Sequence, residues 1–146
     1  MNEMAILAMA FLLGAMITVY QPMNSTVSRI VGSPLLANVI FYFVALLAAL
    51  AMLLLFGEKH AWNRIPSVPP VLFTTGVMSA FMVLGTIVLL PRMGARRLFL
   101  LQVSGQIIGA MIIGHFGLLG IARDPLNLKK LGGGALIILG AIVSLL

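Results

Sequence analysis

Apolar residues in this chain gather into five long runs, and four short polar loops part them. An α-helix needs about 20 apolar residues to cross the hydrocarbon core of a bilayer, and the runs approach or exceed that length. Their limits predict helices over residues 4–30, 35–56, 71–90, 98–116 and 127–146. The expected fold is therefore all-α, a polytopic membrane protein with five transmembrane helices forming a single domain over residues 1–146.

Each run carries a sparse polar stripe. In the first, Gly14, Thr18, Gln21, Ser25 and Ser28 recur at intervals of three and four and share one helix face, with Asn24 beside it. Pro22 interrupts this run and predicts a kink, with Thr18 placed to satisfy a freed backbone group; a shorter span followed by an interfacial helix is the alternative. The second run carries Asn38, Tyr42, Ala45 and Ala49, the third Thr75, Ser79, Met82 and Thr86, and the fourth Gln102, Gln106, Gly109 and Ile113. Residues 131–146 alone would span about 24 Å, short of the roughly 30 Å core. The last helix is therefore expected to start near Asn127, with Lys129 and Lys130 reaching back to the interface.

Composition agrees with a membrane solvent. Apolar residues make up 62% of the chain and charged residues 8%, with a mean hydropathy of +1.18, whereas soluble domains carry about 25% charged residues. The first run has Glu3 and no cation ahead of it, and no convincing cleavage site follows, so it reads as a retained helix rather than a signal peptide. Trp62, in the loop after the second run, reads as an interfacial anchor.

Charge bears on orientation. With five spans, Lys59, Arg64, Arg123, Lys129 and Lys130 fall on one side of the membrane, and Arg29, Arg92, Arg96 and Arg97 on the other. The positive-inside rule acts on a bias, and here there is almost none. Insertion in both orientations follows as an expectation; dominance of a single loop is the alternative. The net charge of +6 sits in loops and matches anionic lipid headgroups. No basic run is interleaved with aromatics, so nucleic acid is not an expected partner.

The candidate chemistry is not catalytic. Glu3, Glu58 and Asp124 are the acids, all outside the apolar cores, and they offer no carboxylate pair for acid–base work. His60 and His115 lack metal-ligand spacing, and the chain has no Cys. Neither an enzyme, a metal site nor a cofactor is expected. The informative residues are amides and a phenol within the spans. An unpaired amide in hydrocarbon costs several kcal/mol, so Gln21, Asn24, Asn38, Tyr42, Gln102 and Gln106 must face protein or a wet cavity. They are candidates for substrate binding, and interhelical hydrogen bonding is the competing role. His115 is a candidate proton carrier or a structural hydrogen-bonding residue. Gly105 with Gly109, and Gly140 with Ser144, have the spacing of helix-packing pairs.

Three blocks resemble one family. They are Gln21-Pro22-Met23-Asn24 with Arg29 and Gly32-Ser33-Pro34-Leu35-Leu36-Ala37; Leu90-Pro91-Arg92-Met93-Gly94-Ala95 with Gly105-Gln106; and His115-Phe116-Gly117-Leu118-Leu119-Gly120. In this order the chain resembles the YdcZ-like five-helix proteins of the drug/metabolite transporter superfamily. The resemblance implies a bacterial inner-membrane half-transporter. It would pair antiparallel, with a second copy or an oppositely oriented paralogue, into the equivalent of a ten-helix inverted-repeat transporter. Such repeats hold a small-molecule substrate near the midplane. The family's third block usually opens on Asp, and Gly114 stands there in this chain. That departure favours a small polar neutral or anionic metabolite over a proton-coupled cation. A membrane scaffold or accessory subunit, and a small ion channel, are the competing functions.

Overall fold

The computed structural model describes residues 2–57 and 59–146, so the Glu58 of the second loop lies outside the described residues. Among the described residues it contains five helices long and apolar enough to cross a membrane, as the hydropathy pattern predicts. These are α1 (Glu3–Val31), α2 (Pro34–Phe56), α3 (Thr74–Met93), α4 (Ala95–Phe116) and α5 (Leu128–Leu145). They fall into two compact units, residues 1–92 with α1 to α3 and residues 93–146 with α4 and α5.

In the first unit α1 runs unbroken through Pro22, so the single long helix, and not the shorter span with an interfacial helix, is the observed form. At 29 residues α1 is about 44 Å long, well over the hydrocarbon thickness, and must tilt or project into the headgroups. Asn2 caps it, its side chain accepting from the Ala5 N–H at 2.9 Å. The Thr18 hydroxyl does not serve the carbonyl that Pro22 leaves without its helical donor, which is Thr18's own. It donates instead to the Ala15 carbonyl at 2.7 Å, the rotamer open to a helical threonine.

Gly32, at φ 72°, ends α1, and Ser33 and Pro34 start α2 at once, the Ser33 hydroxyl accepting from Leu36 N–H at 3.2 Å. Residues Lys59–Ser67 and Pro70–Phe73 form two 3₁₀ segments rather than a plain loop. At the other end α3 overruns its expected limit. Pro91 lies inside the helix, where it forfeits one hydrogen bond near a terminus that has few left to lose. The core of the unit joins Ala37 of α2 to Val83 and Ile87 of α3, with Val27, Phe41 and Tyr42 packed against it.

At the start of the second unit Gly94, whose φ of 79° is left-handed backbone that suits glycine, follows Met93, and Ala95 already belongs to α4. Arg96 and Arg97, expected in a loop, therefore occupy the first turn of α4. Gly117 ends α4 at φ 64°, and the connection to α5 packs back on it, with the Asp124 N–H donating to the Gly114 carbonyl at 2.7 Å. Asn127 caps α5, accepting from Lys130 N–H at 2.9 Å, which places the start where the length argument put it. The Lys130 ammonium pairs with Asp124 and donates to the Pro125 carbonyl at 3.1 Å, so its reach is toward the loop and not only toward headgroups.

Candidate functional site

The side-chain distribution is inverted relative to a soluble protein. Among the described residues the buried hydrophobic positions are Ala37, Val83, Ile87, Leu90, Leu98 and Ala141, while Gln21, Asn24, Ser25, Ser28 and Thr86 are buried polar ones. Large apolar side chains cover the outside of the helices. Lipid accepts that surface at no cost, and an amide in lipid would lose its hydrogen bonds, so Gln21 and Asn24 turn inward, whereas Gln106 stays exposed on the single chain.

On α1 the inward stripe is the C-terminal half. Gln21, Asn24, Ser25 and Ser28 are buried, whereas Gly14 and Thr18 of the same face are exposed. The Gln21 Oε1 and Asn24 Nδ2 atoms are buried without a hydrogen-bond partner. Asn24 lines a cleft of about 380 Å³ with Tyr20, Val27 and Phe41, where the Tyr20 and Phe41 rings stack at 5.6 Å. It is the amide in an otherwise mostly apolar wall.

Asn38 and Tyr42 lie one turn apart on α2 and both reach α3. The Asn38 Nδ2 donates to the Ala80 carbonyl at 3.2 Å, and the Tyr42 hydroxyl bonds the Ser79 hydroxyl at 2.6 Å. Both side chains thus tie two helices together, and Asn38 keeps a buried, unpartnered Oδ1. Asn38 also lines a second cleft of about 380 Å³ with Gly76 and Ala80. Ser79 was visible in the polar stripe of the third run, but nothing in the sequence matched it to Tyr42.

In the second unit Gln106, Gly109, Ile113 and Gly114 of α4 line a cleft of about 590 Å³, closed by Ile121, Ala122 and Asp124 of the loop. Gln102, one turn earlier on α4, is half-buried. His115 faces the same loop. Its Nδ1 accepts from the Leu126 N–H at 3.1 Å, and its carbonyl accepts from the Arg123 guanidinium at 3.3 Å. An Nδ1 that accepts carries no proton, so in this arrangement the imidazole holds any proton on Nε2 and anchors the loop.

The close approach of α4 and α5 is made at a glycine the spacing argument passed over. A Cβ on Gly134 would lie 2.8 Å from the Met111 sulfur and 3.7 Å from Ile107, whereas a Cβ on Gly105, Gly109 or Gly140 would meet nothing within 4 Å. Ser144 is half-buried near the end of α5. The run Gly132-Gly133-Gly134 was the available signal, but only packing shows which of the three faces the neighbouring helix.

Five membrane-length helices with large apolar side chains on their outer faces define a polytopic integral membrane protein. A family model described as "Putative inner membrane exporter, YdcZ" matches residues 5–143. The chain belongs to this YdcZ family, and it is an integral inner-membrane protein. The family is one of exporters and not of enzymes. Neither a curated protein nor a solved structure was found to match the chain.

Proposed function

We propose that this chain is one half of an exporter in which two oppositely inserted copies form an antiparallel dimer. The observation that carries the reading is the buried polar stripe of α1, where Gln21 and Asn24 keep unpartnered atoms inside a helix whose other faces are apolar. A purely structural amide would be expected to use its donors and acceptors on neighbouring helices; these retain capacity for a solute or water. The exported molecule is a small polar neutral or anionic metabolite, because no carboxylate lies in the described spans beyond Glu3 at the start of α1. Alternating access would rock one set of helices against the other around a site near the midplane. Gln21 and Asn24 in the first unit, and Gln102 and Gln106 in the second, are the proposed solute-binding residues, and no step calls for catalysis or a cofactor.

A scaffold or accessory role is the second reading, and the ties made by Asn38 and Tyr42 favour it, since both spend hydrogen bonds on holding α2 to α3. Topology separates the two. The chain has no native Cys, so a single Cys can be placed at Asn2 or at Arg96 and labelled with an impermeant thiol reagent in intact and in lysed cells. Labelling of both sites to about half their lysed values supports dual insertion and the homodimer. Full labelling of one site and none of the other removes the homodimer and leaves an oppositely inserted partner chain or the scaffold.

A further inference from the structure

Arg29 is the charged group that the polar stripes leave unexplained. It stands in the last turn of α1, and with Pro22, Ser25 and Thr26 of α1 and Leu90 and Pro91 of α3 it lines a cleft of about 300 Å³. The guanidinium donates from one nitrogen to the Thr26 hydroxyl at 3.0 Å. Among the described residues no carboxylate pairs with it: Glu3 is at the opposite end of the same helix, and Asp124 is engaged by Lys130. Ser25 is one turn before Arg29 and Gln21 one turn before Ser25, and both are buried at 4% exposure. The cleft therefore places the Arg29 cation beside the Ser25 and Thr26 hydroxyls, with Leu90 and Pro91 of α3 as the apolar wall.

This arrangement points to an anion with a specific shape. A guanidinium has five N–H donors in a planar fork that fits two oxygens of a carboxylate or phosphate, and the bond to Thr26 consumes one donor while restraining the fork. The two prolines line the wall without contributing an N–H of their own. Attraction between Arg29 and the C-terminal end of α1 would account for a cation at this position, but not for the adjoining hydroxyls and the cleft beside it.

We infer that the Arg29 cleft is an oxyanion-binding site, with the guanidinium and the Ser25 and Thr26 hydroxyls as its donors. Resting on the exporter reading, this assigns the solute a carboxylate or phosphate group. A lipid phosphate offers the same chemistry, and the test separates the two sources.

Full-length protein purified in a maltoside detergent, which has no phosphate, is heated with sodium lactate, inorganic phosphate or phosphatidylglycerol, each against sodium chloride at equal ionic strength. A rise in Tm with lactate or phosphate, weakened about tenfold or more in its concentration dependence by Arg29→Gln and partly retained in Arg29→Lys, establishes the site for a solute. The same Arg29 dependence with phosphatidylglycerol alone assigns the oxyanion to a headgroup. No stabilisation of the wild-type protein by any of the three overturns the site, whatever the folding of the variants; so does equal stabilisation of wild type and a monodisperse Arg29→Gln. Binding in detergent does not depend on flux. Failure of the exporter reading would show instead as absent transport in vesicles with the anion response intact.

Discussion

The hydrogen bond between Tyr42 and Ser79 is the sharpest place to weigh packing against substrate lining. Tyr42→Phe removes one hydroxyl from a contact of 2.6 Å and leaves the ring, which packs edge-on against Phe41 at 5.1 Å, in place. The loss is smaller than the full desolvation of an orphaned hydroxyl, because Ser79 can turn back to a carbonyl of its own helix. Interhelical hydrogen bonds in membrane proteins average about 0.6 kcal/mol and reach about 1.7. The short distance and half-buried setting place this one in the upper half, at about 1 kcal/mol, or roughly fivefold in the unfolding equilibrium. A double-mutant cycle of Tyr42→Phe, Ser79→Ala and the pair, unfolded with SDS in mixed micelles and followed by circular dichroism, isolates the term. A coupling below about 0.3 kcal/mol would refute the tie. If Tyr42→Phe weakens solute binding while the coupling stays near zero, the phenol belongs to the cavity and not to the α2–α3 joint.

Other substitutions probe the remaining parts. Gln102→Ala and Gln106→Ala should each abolish solute binding and leave the dimer intact, and unchanged affinity in the purified variants would remove α4 from the site. Gly134→Val should cost about 1–3 kcal/mol by overpacking against Met111 and Ile107, whereas Gly133→Ala, with open space around it, should gain up to about 1 kcal/mol of helix propensity. Equal SDS unfolding midpoints for the two variants would contradict the α4–α5 contact. His115→Phe removes the acceptor for Leu126 N–H and should speed tryptic cleavage after Arg123 in detergent, a rate that should not change if the imidazole has no hold on the loop.

Much of the architecture was legible from one dimension because the bilayer imposes it. Runs of apolar residues must be helices where no water can bond the backbone, so the five spans and the start of α5 at Asn127 followed from length and hydropathy alone. Helix ends near proline and glycine were less legible. The apolar pattern ends the third helix at residue 90, yet Pro91 lies inside α3 and the turn to α4 narrows to Gly94, because a proline in a final turn sacrifices little and one left-handed residue suffices to reverse the chain.

The polar residues divide along the same line. Their presence on helix faces, and the need for each to avoid lipid, are properties of the sequence. Whether an amide is spent on a neighbour or kept for a solute is not, since that depends on which atoms come within about 3 Å after packing. Only the tertiary structure joins Tyr42 to Ser79 and Asn38 to Ala80, leaves Gln21 and Asn24 with vacant atoms, and brings Arg29 beside Pro91. It alone selects Gly134 over Gly140 as the close contact, because spacing is shared by every glycine on a helix while proximity belongs to the one that faces a neighbour.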